Sequence, residues 1–168
     1  ARPGMIHGRV LVIVVVPEKD WMFRRLVVSV LFGLFALPAQ AGEFRLEYVG
    51  ASDVALDNPH DLKLSPDGTA LFVADVGNDR GAILDPESLA LISAFGADHQ
   101  DGTHDVDFDA QGRAYVADTH NGRVTIYDLE GGNPVLIGEL GERIRGPEGV
   151  LAHPNGRIYV AGAWSDNV

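Results

Sequence analysis

The chain has 168 residues, a net charge of −11 and no cysteine. Its length fits one domain. The lack of cysteine excludes disulfides, thiolate metal sites and thiol nucleophiles. The acidic balance argues against nucleic acid and against an anionic membrane surface as partners, because both need clustered Lys and Arg. The 20 Gly and 9 Pro favour a turn-rich β protein over a helical one.

Residues 22–41 have the pattern of a secretory signal peptide. A basic start at Arg24-Arg25 is followed by the apolar run 26–37 and by an Ala-x-Ala cleavage motif at 39–41. The apolar run is shorter than the ~20 residues of a transmembrane helix. An uncleaved anchor and a buried helix are the alternatives. We therefore expect an extracytoplasmic protein, periplasmic or secreted, without membrane contact after cleavage.

Residues 1–21 precede this signal, where a secreted protein would not normally have sequence. We interpret them as translated upstream sequence or as the result of a start assigned too early. We attach no function to their β-branched run 10–16. The mature domain is then expected at 42–168.

A unit of strands and turns recurs through the mature domain. It begins at His60, at His104 and at Glu148, so the step is 44 residues both times. Strand-rich units of this period predict a β-propeller whose blades are four-stranded antiparallel sheets. The expected fold is all-β, an incomplete propeller of about three blades preceded by a signal helix. The blades are predicted at 58–101, 102–145 and 146–168, the last truncated.

Within the first blade, alternation and turn residues predict strands at 61–64, 70–74, 81–84 and 90–95. Phe44 to Asp53 is predicted to be an outer strand that completes another blade. Propellers close with about 4–8 blades. We therefore expect this chain to be a fragment of a longer product, or to assemble with copies of itself.

The segments HDVDFDAQGRAYVADTHNGRVTIYD (104–128) and PEGVLAHPNGRIYVAG (147–162) resemble the NHL repeat. That resemblance implies a six-bladed propeller of the TolB-like superfamily. It does not define an activity, because this fold carries both enzymes and scaffolds.

A second, weaker resemblance concerns Asn58-Pro59-His60-Asp61-Leu62, followed by SPDGTALFVAD. It is similar to blades of the peptidyl-α-hydroxyglycine α-amidating lyases, in which three such histidines hold a zinc ion in the central channel. The resemblance implies His60 and His104 as metal ligands, with Glu148 in the place of the third histidine. The catalytic tyrosine of that family has no counterpart in the loops VGNDR and DTHNGR, so the catalytic residues stay unknown.

The repeat itself also predicts that His60 and His104 converge. Both begin inner strands at equivalent positions that face one axis, and imidazole is a common metal ligand. The alternative is that each histidine caps its blade by bonding to the backbone. Asp61 and Asp105 follow directly and should point the other way, between blades.

Other side chains receive structural interpretations. Asp75 and Asp118 end second strands and are expected to accept hydrogen bonds from turn amides. Three aromatic residues of second strands are expected in the core: Phe72, Tyr115 and Tyr159. Three further histidines are expected in exposed turns: His99, His120 and His153.

Two functions are compatible with these features. The first is a secreted or periplasmic scaffold that binds an unknown small ligand or protein. The alternative is a metal-dependent lyase or hydrolase with Zn²⁺ or Ca²⁺ at the central channel, held by His60, His104 and Glu148. The gluconolactonase-like propellers, with an acidic calcium-type site, are a related enzymatic option whose pattern is not clearly present.

Overall fold

The computed structural model describes residues 11–17, 44–141, 144–165 and 168. Their regular structure is β except for one 3₁₀ turn, Val76–Asn78, which confirms the predicted fold class. The predicted signal segment 22–41 lies outside the described residues. The chain divides into two compact units, with the described residues up to 51 in the smaller one and those from 52 onward in the larger one.

The smaller unit is an antiparallel pair of strands. Strand β1, Leu11–Pro17, pairs with β2, Phe44–Ala51. The strand predicted from Phe44 is therefore present. Its partner is β1 rather than the strand of another blade, because the apolar β-branched run 11–17 forms a ladder with it.

The larger unit holds the repeats. The first blade has the strand order β3-β4-β5-β6, and the second has β7-β8-β9-β10. The described part of the third is the hairpin β11-β12. Their bounds are Pro59–Leu64 (β3), Leu71–Asp75 (β4), Arg80–Leu84 (β5), Leu91–Phe95 (β6), Thr103–Phe108 (β7), Ala114–Asp118 (β8), Arg123–Asp128 (β9), Val135–Leu140 (β10), Pro147–Ala152 (β11) and Ile158–Gly162 (β12).

Burial follows the order of strands within a blade. The second strands, LFVAD in β4 and AYVAD in β8, are buried along their whole length. They are central strands covered on both faces, which explains their continuous apolar sequence. The outer strands β6 and β10 are mostly exposed.

The core lies between blades rather than within one blade. One cluster joins first-blade residues to second-blade residues, among them Phe72, Ile83 and Val116. Another joins Tyr115 and Val124 of the second blade to Val150 and Ala152 of the third. The inner strand β7 contacts both β3 and β11, so the inner strands lie side by side.

Candidate functional site

Two predicted histidines meet at one end of the larger unit, which we call the leading end. The rings of His60 and His104 have centroids 4.7 Å apart and cross at 63°. The predicted convergence of these two imidazoles, 44 residues apart in sequence, is confirmed. The leading end is where inner strands begin and second strands end, as three backbone pairs show: Pro59–Asp75, Thr103–Asp118 and Pro147–Gly162.

The hydrogen bonds of His104 define its tautomer. Its Nδ1 lies 2.9 Å from the carbonyl oxygen of Gly102 and 2.7 Å from Oγ1 of Thr119. The Thr119 hydroxyl donates its own hydrogen to the carbonyl of Pro147, at 2.5 Å. Both neighbours of Nδ1 therefore act as acceptors, and we assign the hydrogen to Nδ1. In the neutral ring, Nε2 then keeps its lone pair.

The geometry of His104 is compatible with both roles that the sequence left as alternatives. Its Nδ1 bonds to the backbone at the start of its blade, as a structural cap would. Its Nε2 makes no hydrogen bond within the described part of the chain. A backbone contact on one nitrogen is also what orients a metal-binding or basic histidine on the other.

His60 differs from His104 in its surroundings. Its side chain is exposed, and no hydrogen bond to its ring is present among the residues that the structure describes. It contacts His104 through the edge-on ring pair alone. Both ring nitrogens of His60 are therefore available to a ligand.

The donor set suits one class of metal better than another. Two imidazoles fit Zn²⁺ or a similar transition ion, whereas Ca²⁺ requires several oxygen ligands. Glu148, the second residue of β11, is exposed. No three His, Asp or Glu side chains within the described ranges are grouped closely enough to hold a metal ion. Glu148 as the third ligand stays a prediction.

Two further rings extend this site, and the sequence did not predict their contact. His120 lies 6.4 Å from His104, centroid to centroid, and stacks on Trp164 at 5.9 Å with an interplanar angle of 19°. Each of the two rings lies over a glycine. A Cβ at Gly102 would come within 2.8 Å of Nδ1 of His120, and one at Gly146 within 2.6 Å of Cγ of Trp164.

The loop that leads into the first blade is held by a buried carboxylate. Oδ1 of Asp75 accepts the backbone N–H of Asp57 at 2.7 Å. Its Oδ2 accepts Nε of Arg80 at 2.7 Å and Nδ2 of Asn78 at 2.8 Å. Arg80 also donates to the carbonyl of Ala55. The predicted role of Asp75 as an acceptor for a backbone amide is confirmed.

The second blade repeats the same arrangement, which we call the Asp-Asn-Arg latch. Asp118 accepts the backbone N–H of Asp101 at 2.8 Å and Nε of Arg123 at 2.7 Å. Asn121 bonds to both oxygens of Asp118. The roles of Asn and Arg were not predicted, although their recurrence three and five residues after each Asp was a usable signal. The latch fixes the backbone three residues before each site histidine.

The carboxyl of Asp105 lies between blades, as predicted. It accepts the N–H groups of Val106 at 2.7 Å and of Val150, in the third blade, at 2.6 Å. Burial, followed by a hydrogen bond with the neighbouring carboxyl of Asp61, raises the pKa of Asp105 to about 7. The carboxyl of Asp105 therefore keeps its proton to a higher pH than an ordinary aspartate does.

A second polar connection across the same three strands was not predicted. Nζ of Lys63 in β3 lies 3.0 Å from Oδ1 of Asp107 in β7. Oδ2 of Asp107 accepts the N–H of Ala152 in β11 at 2.8 Å. The hydrogen bond with Asp107 raises the pKa of Lys63. These contacts keep the inner strands in register below the histidine pair.

Some predicted environments need correction. His99 was expected to be exposed but is half-buried, because its Nε2 lies 2.7 Å from the hydroxyl of the core residue Tyr127. Tyr159 was expected in the core but is 38% exposed. Its partner in ring contact is His153, and the described residues place no further blade over this part of β12.

The remaining environments agree with prediction. Phe72 and Tyr115 are buried in the interblade core. His120 and His153 are exposed. Nδ1 of His120 lies 2.7 Å from Oδ1 of Asp101, and both side chains are exposed.

Comparisons with known proteins bear on the fold. No protein-family model matches the sequence, and no curated protein matches it significantly. Solved structures do match. The periplasmic gluconolactonase of Pseudomonas aeruginosa aligns with 17% identity and a TM-score of 0.53 over 73% of this chain.

The chain has the fold of an incomplete β-propeller. A provisionally assigned 6-phosphogluconolactonase of Bacteroides fragilis aligns with 19% identity and a TM-score of 0.57 over 71% of this chain. A luciferin-regenerating enzyme aligns with 18% identity and a TM-score of 0.56, also over 71%. This chain spans 35% of the length of the gluconolactonase and of the Bacteroides protein, and 41% of the third. The NHL repeat and the six-bladed count stay predictions.

None of the helical structure described in this chain is long and apolar enough to cross a membrane.

Proposed function

We propose that this chain supplies the leading-end site of an extracytoplasmic propeller hydrolase that opens cyclic esters. The observation that carries the proposal is the orientation of His104, whose Nδ1 is anchored while its Nε2 stays free beside His60. The names of the structurally similar proteins, two of them lactonases, support this activity over the scaffold function that the sequence favoured.

The chemistry needs one base and a defined orientation. Nε2 of His104 takes a proton from water as the resulting hydroxide attacks the ester carbonyl. The tetrahedral intermediate then breaks its ring C–O bond, and the imidazolium returns the proton to the departing oxygen, giving a hydroxy acid. Thr119 positions the imidazole, because its hydroxyl bridges Nδ1 and the carbonyl of Pro147 in the next blade.

A metal ion would be held by the same nitrogens. Zn²⁺ bound by His60 and His104 would acidify water and polarise the ester carbonyl. Thr119 and Gly102 would then orient the His104 ring as a ligand, through the same contacts to Nδ1.

The test is ester-ring hydrolysis followed in a pH-stat with δ-valerolactone and glucono-1,5-lactone. His104→Ala should lower kcat/KM by about 10²-fold or more, the usual effect of removing a general base. His153→Ala, an exposed histidine in the turn at the other end of the third blade, is the matched control and should match the parent protein. Chelation by EDTA tells a zinc-dependent reaction from a metal-free one.

Thr119→Val provides a second, milder test. It removes the hydroxyl that orients His104 but keeps the shape of the side chain, so kcat should fall while KM changes little. Equal rates for the parent protein and His104→Ala would refute the hydrolase and leave the binding scaffold as the better function.

A further inference from the structure

We propose that Trp164 and His120 form a stacking platform for the ring of a polyhydroxylated six-membered ligand. The two rings lie at the leading end, and the contacts that hold the blades together do not include them. It deepens the proposed hydrolase and rests on it for its place in the reaction, because it names the substrate class as sugar-derived cyclic esters.

The first observation is an exposed indole that is linked to the reactive histidines through His120. Trp164 follows β12, is 51% exposed and stacks on His120. His120 contacts His104, which contacts His60. Four rings thus run from the free imidazole nitrogens to the indole.

The second observation is that the backbone leaves room for both rings. Both rings lie over glycines with positive φ, +72° at Gly102 and +60° at Gly146, where any side chain would collide with the ring. The backbone N–H of Trp164 donates to the carbonyl of Arg145 at 3.2 Å. The equivalent position in the first blade, Gly77, carries no ring.

The chemistry of the surroundings selects the ligand. Asp101 bonds to Nδ1 of His120 through Oδ1 and is itself exposed, so its Oδ2 can accept hydrogen bonds from ligand hydroxyls. A purely apolar ligand would desolvate this carboxylate and the imidazoles without replacing their hydrogen bonds. A sugar-like ring offers both an apolar C–H face to the indole and hydroxyl groups to the carboxylate.

Binding can be measured without hydrolysis. The sequence has two tryptophans, so Trp21→Phe leaves Trp164 as the sole tryptophan, which is excited selectively at wavelengths longer than the tyrosines absorb. Titration with 1,5-anhydroglucitol, a ring polyol without a carbonyl, should change its emission saturably. Sorbitol, an acyclic polyol, should not. Calorimetry with Trp164→Ala should show at least about tenfold weaker binding, and His120→Ala should weaken it as well.

The matched control is a pair of an exposed aromatic ring and an exposed histidine that both belong to the third blade. Tyr159 and His153 have ring centroids 6.1 Å apart and lie at the opposite end of the β11-β12 hairpin. Tyr159→Leu should therefore leave anhydroglucitol binding unchanged. Equal binding by the parent protein and Trp164→Ala, with both folded by circular dichroism, would overturn the platform.

Kinetics separate this inference from the proposed activity. Trp164→Ala should raise KM for glucono-1,5-lactone about tenfold and leave kcat nearly constant, because the indole binds the ring and the histidine acts on the ester. Saturable ring binding without hydrolysis of any lactone would refute the hydrolase and support the platform. Hydrolysis with an unchanged KM in Trp164→Ala would refute the platform alone.

Discussion

Neighbouring residues of β7 have opposite tasks. His104 faces the leading-end site, whereas Asp105 faces the third blade and bonds to its backbone. Strand alternation was enough to predict this division from the sequence. The raised pKa of Asp105 was beyond prediction, because it depends on the burial of Asp105 and on how closely Asp61 approaches it. The tautomer of His104 likewise depends on Thr119, which the sequence presents only as a turn residue.

The raised pKa of Asp105 predicts a pH-dependent stability. An unfolded aspartate loses its proton near pH 4, while the folded protein holds this one until about pH 7. Between these values the native state binds the extra proton, so stability should fall as pH rises from about 4 to 7. Urea unfolding across this range should show a smaller slope in Asp105→Asn.

The control for that experiment is Asp53→Asn, which removes one exposed carboxyl of the same charge. Its stability should follow the same pH slope as the parent protein. An unchanged slope in Asp105→Asn would show that the pKa of Asp105 is not raised in the folded protein.

At the scale of elements, the repeat predicted the strands of the first blade within one or two residues. β3 was expected at 61–64 and spans Pro59–Leu64, and β6 was expected at 90–95 and spans Leu91–Phe95. Turn residues and buried runs carry that information locally. The local part of the latch has a recurring Asp-Asn-Arg spacing, but its bonds to the backbone of Asp57 and Asp101 and the contact between the stacked rings could not be predicted, because they join residues far apart in sequence. The pairing of β2 with β1 also depends on a distant strand.

The latch predicts unequal effects for two similar arginine substitutions. Arg123→Gln leaves the carboxylate of Asp118, which is fully buried, without its cation, and should lower the free energy of unfolding by about 3 kcal/mol. Arg113→Gln breaks the pair with Asp109, in which the arginine side chain is 44% exposed, and should have a smaller effect. Urea unfolding of both variants gives the comparison, and equal losses would contradict a structural role for the latch.

At the scale of the whole molecule, the blades share their cores. Because Phe72 and Ile83 of the first blade pack with Val116 of the second, neither blade buries its apolar face alone. This is the expected behaviour of a repeat protein, whose units stabilise their neighbours. The period predicted it, since a blade of this length needs a partner. The propeller architecture does not identify the substrate, because proteins with unrelated activities share it.

A conservative substitution in the core of the first blade should therefore also lower the stability of the second. Ile83→Val should cost about 1 kcal/mol, which corresponds to about fivefold faster hydrogen exchange at the amide of Val116 in β8. Ile92→Val, on the exposed strand β6, should leave this exchange rate as it is. Faster exchange restricted to the first blade would show that the blades unfold independently.

The glycines beneath the two stacked rings constrain the order in which duplicated blades can diverge. The first blade has Asn58 where the others have Gly102 and Gly146, and it has Gly77 where they have rings. A side chain at Gly77 would meet the carboxyl of Asp57 within 2.6 Å, and a side chain at Gly102 or Gly146 would meet the ring, whereas a glycine gained before the ring meets nothing. In descent from a ringless blade, the glycine must come first and the ring second. In a blade that loses this feature, the ring must be lost before the glycine is replaced. The two positions therefore evolve together.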